Sequence, residues 1–128
     1  MKRLFTLLSL AMTITAAMAQ AEIKFEQTSF NFGTFDESEV QSCVFTFTNV
    51  GNEPLIIHQA YSSCGCTVPN FSKEPVKPGE KGQIKVTYNG AGKFPGAFKK
   101  PVTVRTNATN AMVRIYIQGD MTVRGKKD

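Results

Sequence analysis

The chain has 128 residues, 41% of them hydrophobic and 20% charged, with a formal net charge of +5, three cysteines, one histidine and no tryptophan. That length supports one ordinary domain with its own core, so folding requires neither disulfide staples nor a metal. The basic excess is modest and no five like charges run together, which argues against a nucleic-acid partner.

Residues 1–21, MKRLFTLLSLAMTITAAMAQA, predict a secretory signal peptide. Lys2 and Arg3 give the basic start, residues 4–11 the apolar run, and small residues offer cleavage after Ala19 or after Ala21. A membrane span needs about 20 apolar residues. This run is shorter and is interrupted by Thr6, Ser9, Thr13 and Thr15. The first cysteine, Cys43, lies far beyond it, so a lipoprotein is not expected. The expected product is exported, periplasmic or extracellular, without an integral membrane segment. Cleavage after Ala21 leaves residues 22–128, with 13 basic against 10 acidic residues.

In the mature part, Ile23 and Phe25, then Phe30 and Phe32, predict a first strand in two pieces. Phe45 and Phe47 mark one face of CVFTFTN, residues 55–57 begin another strand, and a weak one is expected between Pro69 and Val76. Ile84, Val86 and Tyr88 then alternate with Lys85 and Thr87. Val102 and Val104 alternate with Thr103 and Arg105, and Val113, Ile115 and Ile117 lie opposite Arg114 and Gln118. Turn signals stand between these runs at Gly51-Asn52, Pro78-Gly79, Asn89-Gly90 and 107–110. Strand runs recur roughly every ten residues with no helix-sized gap. The pattern predicts an all-β, immunoglobulin-like β-sandwich of about seven antiparallel strands, in one domain over residues 22–128. An antibody-type domain is excluded: there is no tryptophan, and KKPVTVRTN carries no cysteine to bridge the sheets from Cys43.

The segments FTFTNVGNEPLII, SSCGCTVP, VKPGEKGQIKVTYN, KKPVTVRTNA and IQGDM resemble the bacterial domain-of-unknown-function family fifteen seventy-three. The resemblance runs over nearly the whole mature chain, and Cys-Gly-Cys-Thr is its most specific element. It implies an exported immunoglobulin-like module akin to the ASH or major-sperm-protein-like sandwiches. It implies no particular activity.

Cys64 and Cys66 are a single glycine apart. On a flat strand such residues stand roughly 6.6 Å apart, too far for a disulfide, which needs Cβ atoms about 3.5 to 4.5 Å apart. A positive φ at Gly65 would curl the chain enough to close that very small ring, and strained rings are readily reduced, which would suit a redox role. Alternation gives Cys43 the inward parity of Phe45 and Phe47. Chain reversal would bring Cys43, Cys64 and Cys66 to one rim, near NGAGKFPGAF. Three roles are open there: a structural disulfide with one buried thiol, a copper or zinc site, or a redox centre. The resemblance implies that a histidine can fill the Cys43 slot, and imidazole with thiolate suits copper or zinc. Against zinc, its structural sites have four ligands at wider spacing.

Other candidates read as scaffold. His58 lies opposite Ile57 on its strand and is expected in solvent. Gly90-Ala91-Gly92 with Gly96 breaks the dinucleotide-binding spacing at Pro95 and reads as a hairpin loop. Lys93, Phe94, Phe98, Lys99 and Lys100 mix basic and aromatic residues, as a solvated strand face does. No positioned base, nucleophile and orienting partner can be named. The expected function is therefore an exported, non-enzymatic binding or structural module of the bacterial cell envelope. Its partner would be an envelope protein met through loops or a sheet edge, with no cofactor. The alternative is a periplasmic copper- or zinc-binding or thiol-redox protein.

Overall fold

Alternation with period 2 places Phe45, Phe47, Ile84, Val86 and Tyr88 on one inner face and Val102, Val104, Ile115, Ile117 and Met121 on the other, each at most 2% exposed. The computed structural model describes residues 19–123. The expected signal segment thus falls outside the described residues up to position 18.

The strands are β1 (Ile23–Phe25), β2 (Ser29–Asp36), β3 (Gln41–Asn49), β4 (Ile57–Tyr61), β5 (Thr67–Phe71), β6 (Lys81–Tyr88), β7 (Gly96–Thr106) and β8 (Met112–Thr122). They form two four-stranded sheets, β1-β3-β6-β5 and β2-β8-β7-β4. No helix occurs among the described residues. The architecture is the expected immunoglobulin-like sandwich, with eight strands rather than about seven.

Two differences from expectation have physical causes. The interrupted first strand divides between the sheets: β1 pairs antiparallel with β3, while β2 pairs parallel with β8. The sandwich is therefore not wholly antiparallel, because the chain crosses the core gap at residues 26–28 without reversing. The weak strand begins earlier than expected, at Thr67, and Val76 makes only an isolated bridge to Leu55. The reason is that Thr67, Pro69 and Phe71 turn toward the core opposite Tyr88, Val86 and Ile84.

A sheet edge exposes unpaired backbone groups and invites other strands. Three of the four edges here are guarded. On β1, the Ile23 N–H donates to Asn110 Oδ1 (3.2 Å), and the Ile23 carbonyl accepts from Asn110 Nδ2 (2.8 Å). On β5, Asn89 N–H donates to the Cys66 carbonyl, so the backbone groups of residues 68 and 70 also face β6, while those of 67, 69 and 71 point away from it along the open edge. Pro69 has no N–H to offer there, and the Thr67 N–H is taken by the Cys64 carbonyl (3.1 Å). On β2, the register shifts between Asn31 and Thr34, where Gly33 has φ 73° and its N–H donates to Asn31 Oδ1. The fourth edge, β4, is only five residues long and has its own register shift.

Candidate functional site

The segment after β4 makes a tight turn. The Cys64 N–H donates to Ser62 Oγ (3.3 Å), and the Thr67 N–H closes a four-residue turn onto the Cys64 carbonyl. This brings the Cys64 and Cys66 Cα atoms within 5.2 Å, a disulfide pair. Gly65 is not among the residues with positive φ, and an added Cβ there would meet nothing within 4 Å. The pair closes through an ordinary hydrogen-bonded turn instead of the left-handed glycine expected.

Each sulfur has a donor beside it. The Cys66 N–H donates to Cys64 Sγ (3.3 Å), and the Thr67 hydroxyl lies 3.6 Å from Cys66 Sγ. Cys66 is 5% exposed, whereas Cys64 is half-buried. The two cysteines are therefore unequal: Cys64 is partly exposed and Cys66 lies in the core.

Cys43 has the inward parity expected and is buried, but it does not join them. It pairs with Val86 on one side of β6, and Pro69 of β5 pairs with the same Val86 on the other side. Two strand spacings, about 9–10 Å, separate β3 from β5, and Cys66 lies beyond Tyr88 at the end of β5. The expected convergence of Cys43, Cys64 and Cys66 on a copper or zinc ion is thus not built, because β6 stands between them. Among the described residues no group of three His, Cys, Asp or Glu side chains could hold a metal ion. Burial pushes the Cys43 thiol up to about 11. Of the convergence argument one part holds: Asn89, which opens the NGAGKFPGAF loop, bonds the Cys66 carbonyl (2.8 Å).

A second feature is an incomplete edge. Asn49 N–H donates to the Glu80 carbonyl, so residues 41, 43, 45 and 47 of β3 direct their backbone groups to β6, and 42, 44, 46 and 48 face the β1 side. The β1 cover stops where Glu26 N–H reaches the Thr46 carbonyl. Ser42 and Val44 therefore present N–H and C=O groups with no strand beside them among the described residues. Val40, Val44 and Val50 are also exposed along β3 and its flanks, at 56%, 50% and 47%. Sequence reasoning missed this half-edge and the Thr67 hydroxyl. The odd–even parity that buries Cys43 and Phe45 was the available signal for the first, and adjacency to Cys66 for the second.

His58 is exposed on β4, as expected, and no helix among the described residues is long and apolar enough to cross a membrane. Residues 23–121 match the family described as Protein of unknown function (DUF1573). The chain belongs to the DUF1573 family. No curated protein matches this DUF1573 chain. Among solved structures it is similar to a protein of unknown function from Porphyromonas gingivalis W83, with TM-score 0.70 and 16% identity over 86% of this chain and 51% of that one. The DUF1573 chain thus spans about half the length of that relative. It is also similar to an ASH/PapD-like domain of human CEP192, with TM-score 0.65 and 10% identity over 82% of this chain and 88% of that one. A third likeness is to the CupB2 chaperone of Pseudomonas aeruginosa, with TM-score 0.57 and 13% identity over 77% and 55% of the two chains. At these identities the likenesses concern the fold.

Proposed function

We propose that this protein is an exported, non-enzymatic binding module of the bacterial cell envelope that captures an extended segment of an envelope protein on the open half of β3. The observation that carries this reading is the pair Ser42 and Val44. Their backbone groups point away from β6 beyond the end of β1, while Asn110, Pro69 and the Gly33 bulge blunt three other edges. An added strand would gain main-chain hydrogen bonds there and bury the exposed Val44, the mode known as β-augmentation. The likeness to a chaperone supports protein binding as the class of activity.

Export is supported by the signal-peptide pattern of residues 1–21, and the packing of Gln20 and Ala21 bears on where that segment would be cut. Ala21 is 2% exposed, its carbonyl accepts from the Thr109 N–H (2.9 Å), and Gln20 exchanges hydrogen bonds with Asn52. Cleavage after Ala19 keeps these contacts and cleavage after Ala21 removes them, so the mature chain is expected to begin at Gln20.

A photo-crosslinking residue placed at Val44 should yield a discrete adduct with an envelope protein in living cells. The same residue at Asn70, on the blunted β5, should yield none. Val44→Pro removes the outward N–H without touching a bond to β6, and should abolish capture with little change in melting temperature. Equal adducts from both positions, or full binding by the proline variant, would overturn the assignment.

A further inference from the structure

Binding at β3 leaves the Cys64–Cys66 turn unexplained, at the opposite edge of the same sheet. We infer that this turn is a thiol–disulfide exchange site, attacked at Cys64 Sγ with Cys66 as leaving group, whose substrate is a dithiol in acidic surroundings. Four observations combine. A hydrogen-bonded turn closes the pair, with Cys66 in the core and Cys64 packed against it, and Gly65 is exposed with nothing within 4 Å of where a Cβ would stand, which leaves the approach open. Only Cys64 can be reached from solvent, since Cys66 is buried. A sulfur that leaves must carry negative charge, and the Thr67 hydroxyl lies 3.6 Å from Cys66 Sγ, where it can donate to that thiolate. When the second sulfur is released in turn, the Cys66 N–H already points at Cys64 Sγ (3.3 Å). The Cys-Gly-Cys-Thr stretch thereby supplies both sulfurs, their access and a donor for each.

The electrons balance within the pair and its partner. A partner thiolate attacks Cys64 Sγ, the Cys64–Cys66 bond breaks, and Cys66 leaves as thiolate to take a proton from water. The partner's second thiolate attacks the mixed disulfide at the partner's own sulfur and releases Cys64 as thiolate. The partner dithiol has been oxidised to its disulfide by two electrons, and the Cys64–Cys66 disulfide reduced to two thiols. Cys43 takes no part, because it is buried beyond β6.

The charge of the partner follows from the adjoining groove. Ser62 and Ser63, immediately before Cys64, form part of its wall together with Tyr61, Tyr116 and Arg114. Arg114 is exposed and makes no ion pair among the described residues, and Lys99 stands over the Tyr116 ring at 4.9 Å. These two cations favour carboxylates flanking the incoming thiol.

The test uses the oxidised mature protein and two synthetic Cys-x-x-Cys peptides, one flanked by glutamates and one by lysines. Peptide oxidation and protein reduction are followed by mass. The wild-type disulfide should be reduced at least about tenfold faster by the glutamate peptide than by the lysine peptide, and Arg114→Gln should cut that preference severalfold. Thr67→Val should slow reduction by both peptides about tenfold at unchanged melting temperature, a separation that a purely structural threonine would not produce. Trapping gives a readout independent of those rates. Reduced Cys66→Ser, which keeps Cys64, should form a mixed disulfide with oxidised peptide at least about tenfold faster than Cys64→Ser, with the double variant reporting Cys43 alone. Absence of the 64–66 bond, equal trapping at the two cysteines, or a preference for the lysine peptide would each overturn the inference. Because Val44→Pro leaves this turn intact, failure of the β3 reading and failure of exchange are distinguishable.

Discussion

Asn110 and Ile23, 87 positions apart, exchange two hydrogen bonds through one side-chain amide: Oδ1 accepts from the Ile23 N–H at 3.2 Å and Nδ2 donates to the Ile23 carbonyl at 2.8 Å. The amide acts as a one-residue strand on the outer edge of β1, tying the β7–β8 hairpin of one sheet to the first strand of the other. Asn110→Ala should cost about 1–2 kcal/mol, since two bonds are lost at a part-buried edge that water can partly re-solvate. Amide exchange at Ile23 should quicken more than at Val86 in the middle of the core. Unchanged exchange at Ile23 would show that the amide is not what closes this edge.

Asn49 bears more. It is 0% exposed; Nδ2 donates to the carbonyls of Glu53 (2.6 Å) and Val76 (2.9 Å), and Oδ1 accepts from Gly51 N–H (3.0 Å) and Glu22 N–H (3.3 Å). Replacing it by alanine takes this partner from the Glu53 carbonyl and from the Gly51 and Glu22 N–H groups, while the Val76 carbonyl keeps its bond from Leu55 N–H, so a loss of about 3 kcal/mol is expected, or more than about 10 °C in melting temperature. Asn49→Asp keeps the acceptor but loses both donations and buries a charge, and should be no better. Thermal unfolding of the two variants checks this, and a loss under about 1 kcal/mol in both would refute it.

These two asparagines mark the boundary of what the sequence discloses. Side-chain parity was legible throughout: Cys43, Phe45 and Phe47 point inward together, as do Ile84, Val86 and Tyr88, because a buried face imposes period 2 on each strand separately. Which strand lies beside which was not legible. The passage of β1 and β2 into different sheets, the parallel pairing of β2 with β8, and the position of β6 between Cys43 and Cys66 are long-range choices without a local pattern. Residues 107–110 read as a turn, and a turn asparagine ordinarily bonds its neighbours; its partner Ile23 cannot be inferred from that stretch. The thiol pair was legible as a possible disulfide, yet Gly65 suggested the wrong backbone and Cys43 a wrong third member.

The motif glycine and a packing glycine should behave oppositely. Gly65 has no positive φ and open space around its missing Cβ, so Gly65→Ala should change stability by no more than about 0.5 kcal/mol. At Gly51 a Cβ would press on the backbone of Gln20, Ala21 and Glu22, standing 2.6 Å from the Glu22 nitrogen. Backbone cannot swing aside as a side chain can, so Gly51→Ala should cost about 2 kcal/mol or more and loosen residues 20–22. Limited proteolysis near residue 20, together with urea midpoints of both variants, separates them. A Gly65→Ala loss as large as that of Gly51→Ala would show that the turn needs a glycine for its geometry after all.

Cys43 gives the stability a defined pH dependence. Burial raises its thiol from an ordinary value of 9.0 to about 11, so the folded state holds the proton longer than the unfolded chain does. Below about pH 9 both states are protonated and the stability is fully present. As pH rises from about 9 to about 11 the unfolded chain sheds its proton while the folded protein keeps it, and stability falls. At full extent the loss is about 2–3 kcal/mol, two pKa units at 1.36 kcal/mol each. The measurement is the difference between wild type and Cys43→Ala in urea unfolding at several pH values, which cancels contributions common to both proteins. The variant should be less stable at pH 8 for lack of the packed sulfur, and the gap should narrow steadily toward pH 11. A gap that stays constant across that range would mean that the Cys43 thiol titrates alike in both states, and that its place beside Val86 is open to water.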